Sequence, residues 1–194
     1  LEDCCAAFNW VVDNAHQYGG NIDKLVLAGE SAGANLVTSI AVATCTKRPE
    51  HFAREVFQKN VVPKAVLPAC GLLEVSNPGR FQPTNIRGHM ASRILSIIEY
   101  QYLPPPCPNL DLANPVVFLE NKPTLERSLP PFFIPAGGKD LLVSDTHRLQ
   151  KALSSLGVNA TKKIYPKRDH AFHAFLWLQQ ARECWEDIFD FLQH

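Results

Sequence analysis

Short strand-like runs alternating with stretches of helical periodicity predict an α/β fold, a parallel sheet flanked by helices with an insertion between two core strands. Three observations carry this reading. Leu25–Ala28, Ala65–Cys70, Phe132–Ala136 and Ala160–Tyr165 are brief, apolar or β-rich, and bounded by Gly, Pro or polar residues. The segments after the first, third and fourth runs lead into helical patterns, and strands alternating with helices pair in parallel through crossovers. Finally, Ser31, Asp140 and His170 each follow the carboxyl end of a different predicted strand, the edge at which such sheets hold ligands.

Taken in order, Leu1–Tyr18 places Cys5, Phe8, Val12 and Ala15 at helical spacing, with Glu2 and Asp3 in the first turn and Gly19-Gly20 as the stop. Leu25–Ala28 is uninterruptedly apolar, as in a strand covered on both faces. A helix follows from Ser31 to about Thr46, then the strand Ala65–Cys70, ended by Gly71. Between Glu74 and Leu129 prolines, Pro115 among them, break the pattern, and only Met90–Tyr102 remains helical. So long a connection predicts a lid or binding insertion over about 74–129. Its Phe81, Tyr100 and Tyr102 either line a pocket or are simple core. The strand Phe132–Ala136 comes next, then the turn Gly137–Asp140 and an amphipathic helix over Ser144–Leu156. Ala160–Tyr165 and the loop Pro166–His170 precede a closing helix, Gln179–Leu192, with Cys184, Trp185, Ile188, Phe189 and Leu192 expected on its inner face.

The chain of 194 residues suits one domain, 1–194, and 46% apolar content supports a sizeable core. Nineteen basic and nineteen acidic residues cancel, which argues against nucleic acid or an anionic membrane surface as partner. The apolar run Leu36–Cys45 is too short to span a bilayer. Cys4, Cys5, Cys45, Cys70 and Cys184 sit within apolar patterns, where free Cys behaves as a small hydrophobe, so a reducing, cytoplasmic setting is expected. No Cys/His cluster has zinc spacing, and neither metal nor cofactor is implied.

The chemistry centres on Gly29-Glu30-Ser31-Ala32-Gly33. A strand before this pattern and a helix after it make a nucleophile elbow, with Ser31 as the acyl-accepting nucleophile. Gly29 and Gly33 are read as positions where a Cβ would strike the neighbouring strand or helix. Ala32, at the helix start, offers its amide to an oxyanion. An acid and a histidine follow in the order Ser31, Asp140, His170. Asp140 is alternatively a plain turn residue, and His173 competes with His170 as the base. Glu30 is expected to hydrogen-bond locally and Asp145 to complement a helix dipole. His16, His51, His89, His147 and His194 are taken as surface residues.

The stretches GESAGANL (Gly29–Leu36), AGGKDLLVSD (Ala136–Asp145) and HAF (His170–Phe172) resemble the α/β-hydrolase fold, and within it the hormone-sensitive-lipase-like carboxylesterases. Asp140, Asp145 and His170 match that group's acid, second Asp and His-Gly-Phe positions, with Ala34, Ala171 and Leu141 as small departures. The resemblance implies a serine hydrolase cleaving esters of small to medium acyl chain through an acyl-enzyme, with a small-molecule ester as its partner. The group's His-Gly-Gly oxyanion loop lies upstream of everything in this sequence, so the chain is expected to be the C-terminal part of a larger enzyme or a truncated product, a partial α/β-hydrolase. That gap keeps two alternatives open, an amidase on the same triad and a catalytically weak or silent homologue binding a small ligand or partner.

Overall fold

The computed structural model describes residues 1–81 and 109–193. Its one sheet is parallel, with strands β1 (Val26–Glu30), β2 (Ala65–Ala69), β3 (Phe132–Gly137) and β4 (Ala160–Tyr165) in that spatial order. Val26 lies opposite Ala65 and Glu30 opposite Ala69, while Phe132 lies opposite Ala160 and Gly137 opposite Tyr165. β2 meets β3 at Val66 and Phe132. These registers bring all four carboxyl ends to one rim.

Alternation along the strands builds two cores. Val66, Phe132 and Ile134 face one side, among side chains of α1 (Glu2–Asn14), α2 (Ala32–Cys45), α3 (His51–Gln58), α4 (Pro115–Glu120) and α5 (Val143–Ser155). Leu67, Phe133 and Tyr165 face the other, against Phe172 and the Ala181, Cys184 and Ile188 stripe of α6 (Gln179–Gln193). α2 is buried along nearly its whole length, and its polar side chains find partners within the protein. Asn35 Nδ2 donates to the carbonyls of Leu72 and Ala113, each at 2.9 Å, and Ser39 Oγ donates to that of Leu112 at 2.7 Å. The central helix thereby holds the loop after β2 and the segment before α4.

The α/β class and the parallel sheet agree with the sequence expectation, and β4 has the expected bounds. Several elements differ. β1 starts at Val26 and is a half-exposed edge strand rather than one covered on both faces. Pro115, read as a breaker, is the first residue of α4, where its missing N–H has no intrahelical acceptor to lose. α3 escaped notice because only Ala53 and Val56 of its eight residues are buried. Leu112, Val116, Leu119 and Leu129 join the main core, so this flank of the 74–129 segment is built into the domain. Phe81 is core as well, packed with Leu72, Val75 and Leu142. The expected helix Met90–Tyr102, together with His89, Tyr100, Tyr102 and His194, lies outside the described residues.

On α6, Trp185 and Phe189 are 37% and 57% exposed, against the expected inner placement. The buried stripe at 181, 184 and 188 has helical spacing, and residues 185 and 189 lie one position further round. Among the described residues no helix is long and apolar enough to cross a membrane.

Candidate active site

β1 runs directly into Ser31, whose backbone sits at φ 57° and ψ −113°, outside the regions open to ordinary L-residues. Such a conformation costs about 1–3 kcal/mol and persists only when its surroundings enforce it. Here the Ser31 amide donates to the Ala69 carbonyl at 3.0 Å, and its carbonyl accepts from Leu72 N at 3.3 Å and Asn35 N at 3.4 Å. A Cβ on Gly29 would lie 2.2 Å from the Gly33 carbonyl oxygen, so glycine at 29 is what lets strand and helix meet. Gly33 differs from expectation: a Cβ there would meet open space. The steric demand of the turn therefore falls on Gly29 alone. Ala32 is exposed as the first residue of α2, its amide without an intrahelical acceptor.

The exits of β3 and β4 are stitched together. Gly138 N donates to the Tyr165 carbonyl at 2.9 Å and Lys139 N to that of Arg168 at 2.8 Å. Asp140 is 4% exposed; its Oδ1 accepts from Leu142 N at 2.9 Å, and its Oδ2 lies 2.9 Å from Nδ1 of His170. One side chain thus holds both the turn and the His170 ring. The His170 side chain remains 40% exposed. The Asp140 hydrogen bond raises its pKa above the ordinary 6.5; burial opposes this, and the charges of Asp140 and Glu30 add to it. With Nδ1–H donated to the carboxylate, Nε2 carries the free lone pair. The Ser31 hydroxyl makes no capping hydrogen bond, and no hydrogen bond joins it to His170 among the described residues. The structure therefore joins Asp140 and His170 directly and brings Ser31 to the same rim, near enough for the charge of Glu30 to act on His170.

Other side chains depart from expectation. Glu30, predicted to bond locally, reaches Nε2 of His173 at 2.9 Å. His173 is 7% exposed and packs against Trp185 of α6, and burial lowers its pKa. Asp145 is wholly buried and does more than complement a helix dipole: it accepts from Leu73 N at 2.8 Å and from Arg80 at 2.5 and 3.2 Å. His51 is exposed yet 3.8 Å from Glu55, whereas His16 and His147 are exposed, as expected.

Sequence reasoning missed the place of Cys70, whose backbone is at φ 50° and whose thiol is buried beside the acid. The donor atoms of Cys70, Asp140 and His170 lie within 4.8 Å of one another, the group among the described residues with a spacing that suits a cation. Burial, with the Asp140 charge next, pushes the Cys70 thiol up to about 12, so it is protonated at neutral pH. A metal there would have to displace that proton and the one shared by Asp140 and His170. The arrangement suits proton transfer better than coordination. For His173 and Glu30 a signal was present in the His-x-x-His spacing of HAFH and in an acid beside the nucleophile. Nothing in either showed that the two meet.

A family profile described as the alpha/beta hydrolase fold matches residues 1–174. This chain belongs to that family. Within the α/β-hydrolases it is similar to the Carboxylesterase/phospholipase LipF of Mycobacterium tuberculosis, 24% identical over 174 residues, covering 89% of this chain and 42% of that protein. The Esterase LipQ of the same organism is 24% identical over 196 residues, covering 99% of this chain and 43% of that one. An esterase from the bacterial hormone-sensitive lipase family superimposes with a TM-score of 0.72 at 22% identity, over 96% of this chain and 57% of that one. The hyperthermophilic esterase from the archaeon Pyrobaculum calidifontis gives 0.75 at 22%, over 98% and 59%. The α/β-hydrolase family expected from GESAGANL is thereby borne out, and the hormone-sensitive-lipase-like resemblance agrees with this likeness in fold. The chain spans less than half the length of the curated relatives it matches.

Proposed function

We propose that this α/β-hydrolase cleaves carboxylic esters of small to medium acyl chain with Ser31 as nucleophile, His170 as general base and acid, and Asp140 as the group that orients and stabilises His170. The observation that carries the reading is the buried carboxylate of Asp140 accepting from Nδ1 of His170 at 2.9 Å. That bond leaves Nε2 as the proton acceptor, the tautomer the chemistry needs. Ser31, strained at the head of α2, presents its hydroxyl at the same rim of the sheet.

In the proposed reaction the Oγ of Ser31 bonds to the ester carbonyl carbon while its proton passes to Nε2 of His170. The carbonyl oxygen gains the charge, and the Ala32 amide at the α2 N-terminus stabilises it. Collapse of the tetrahedral species breaks the ester C–O bond, and the imidazolium returns the proton to the departing alcohol. Water then enters by the same route, losing a proton to His170 and releasing the acid and free Ser31. A single oxyanion donor is worth roughly 10²–10³ in turnover, so Ala32 is a substantial contributor. The naming of its relatives as carboxylesterase and esterase supports esters over amides as the substrate class.

Fluorophosphonate labelling of the purified protein beside its Ser31→Ala variant tests the nucleophile. Labelling confined to the protein with Ser31 is expected, and equal labelling of both removes Ser31 from the mechanism. A p-nitrophenyl ester series should favour acetate and butyrate over palmitate.

A further inference from the structure

We infer that Glu30 and His173 form a brace that fixes the base-bearing loop to the nucleophile elbow, making Glu30 a positioning residue for His170. The inference rests on the triad reading above. β1, which delivers Ser31, and β4, which delivers the His170 loop, are opposite edges of the sheet, with β2 and β3 between them. Strand pairing therefore does not join nucleophile to base. The Asp140 bond ties His170 to the exit of β3 and leaves the elbow free.

Glu30 closes that gap. It ends β1 immediately before Ser31, and its Oε2 lies 2.9 Å from Nε2 of His173. His173 follows His170 by one short turn, the 3-10 segment Phe172–Ala174. It cannot swing aside: Phe172 meets it edge-on at 5.7 Å, Trp185 lies at 6.2 Å, and Trp185 Nε1 donates to the His173 carbonyl at 3.0 Å. The brace thus runs from α6 through His173 to the elbow.

The protonation of the pair follows from its surroundings. Nδ1 of His173 is buried without a partner, so protonation would bury an N–H with no acceptor. The groups facing His173 are Glu30, His170 and Asp140, with Cys70 beside Asp140. His173 accordingly stays neutral, faces Oε2 of Glu30 through Nε2 at 2.9 Å and leaves the carboxylate charge uncancelled. That charge favours the imidazolium form of His170, the form that develops as Ser31 attacks.

The test compares Glu30→Gln, His173→Phe, the double variant and Glu30→Asp by pH-dependent p-nitrophenyl acetate kinetics. Glu30→Gln should lower kcat roughly 10- to 100-fold at little change in KM, and move the acid limb of kcat/KM to lower pH. His173→Phe keeps the ring contacts and should lower kcat alone. The double variant should lose no more than the worse single one, since both remove one link. Glu30→Asp, which keeps the charge, should return the acid limb toward wild type. Multiplicative losses, or an unmoved limb in Glu30→Gln, overturn the inference. Amide hydrogen exchange over 171–175 separates this outcome from failure of the triad itself. Faster exchange in both single variants supports the brace even in a protein that fluorophosphonate does not label, and unchanged exchange overturns it.

Discussion

At the scale of single residues, the site depends on carboxylates whose two oxygens have different partners. Asp140 gives one oxygen to Leu142 N and the other to His170. Asp140→Asn should keep the turn yet reduce turnover about 10⁴-fold, because the amide stabilises the wrong imidazole tautomer. The sign of the pH effect follows from the raised pKa of His170: only neutral imidazole accepts the Ser31 proton, so kcat/KM should rise with pH through a value above 6.5. Asp140→Asn removes the largest cause of that shift and should move the limb to lower pH, read from pH–rate profiles. The stability linked to the same contact has the opposite sense, being fully present below pH 6.5 and lost as pH rises through the raised value. Asp145 tests a structural carboxylate. Asp145→Ala strands the Leu73 amide and takes a partner from Arg80, a loss of about 3–5 kcal/mol that urea denaturation should report. The sequence placed Asp145 near a helix start correctly, but Arg80 ends a distant three-residue 3-10 turn and leaves no periodic trace.

Among elements, the elbow is the one most fully legible beforehand. A strand, Gly-x-Ser-x-Gly and a helix are local in sequence, and the strain at Ser31 is the local consequence. What the pattern did not reveal is that its two glycines are unequal. Gly29→Ala forces a Cβ against the Gly33 carbonyl and should abolish fluorophosphonate labelling or lower the melting temperature sharply, whereas Gly33→Ala should leave labelling near wild type. Comparing labelling rates and melting curves of the two variants checks this. α4 was illegible for the opposite reason. A six-residue helix opening on proline carries no full period to read, and its stability comes from Val116, Phe118 and Leu119 in the core. The half-exposure of β1 reflects its place at the edge of the sheet, where an apolar strand suited to burial has no second neighbour among the described residues.

For the molecule as a whole, strand order turns separate stretches of sequence into one rim. Ser31, Asp140 and His170 follow the ends of β1, β3 and β4, and that much could be read by counting alternating elements. The contacts that make the rim work as one object could not. The Glu30–His173 pair and the buried thiol of Cys70 depend on how loops fold over the strand ends, which has no signature of period or spacing. One such approach is at Gly137, where an added Cβ would come within 2.4 Å of the Arg168 carbonyl oxygen, while at Gly138 its nearest neighbour is 3.4 Å away. Of two adjacent and chemically identical positions, one has room for a side chain and the other does not. Any heavier residue at 137 would wedge the turn that carries Asp140 off the loop that carries His170, a lesion with no remedy short of rebuilding both.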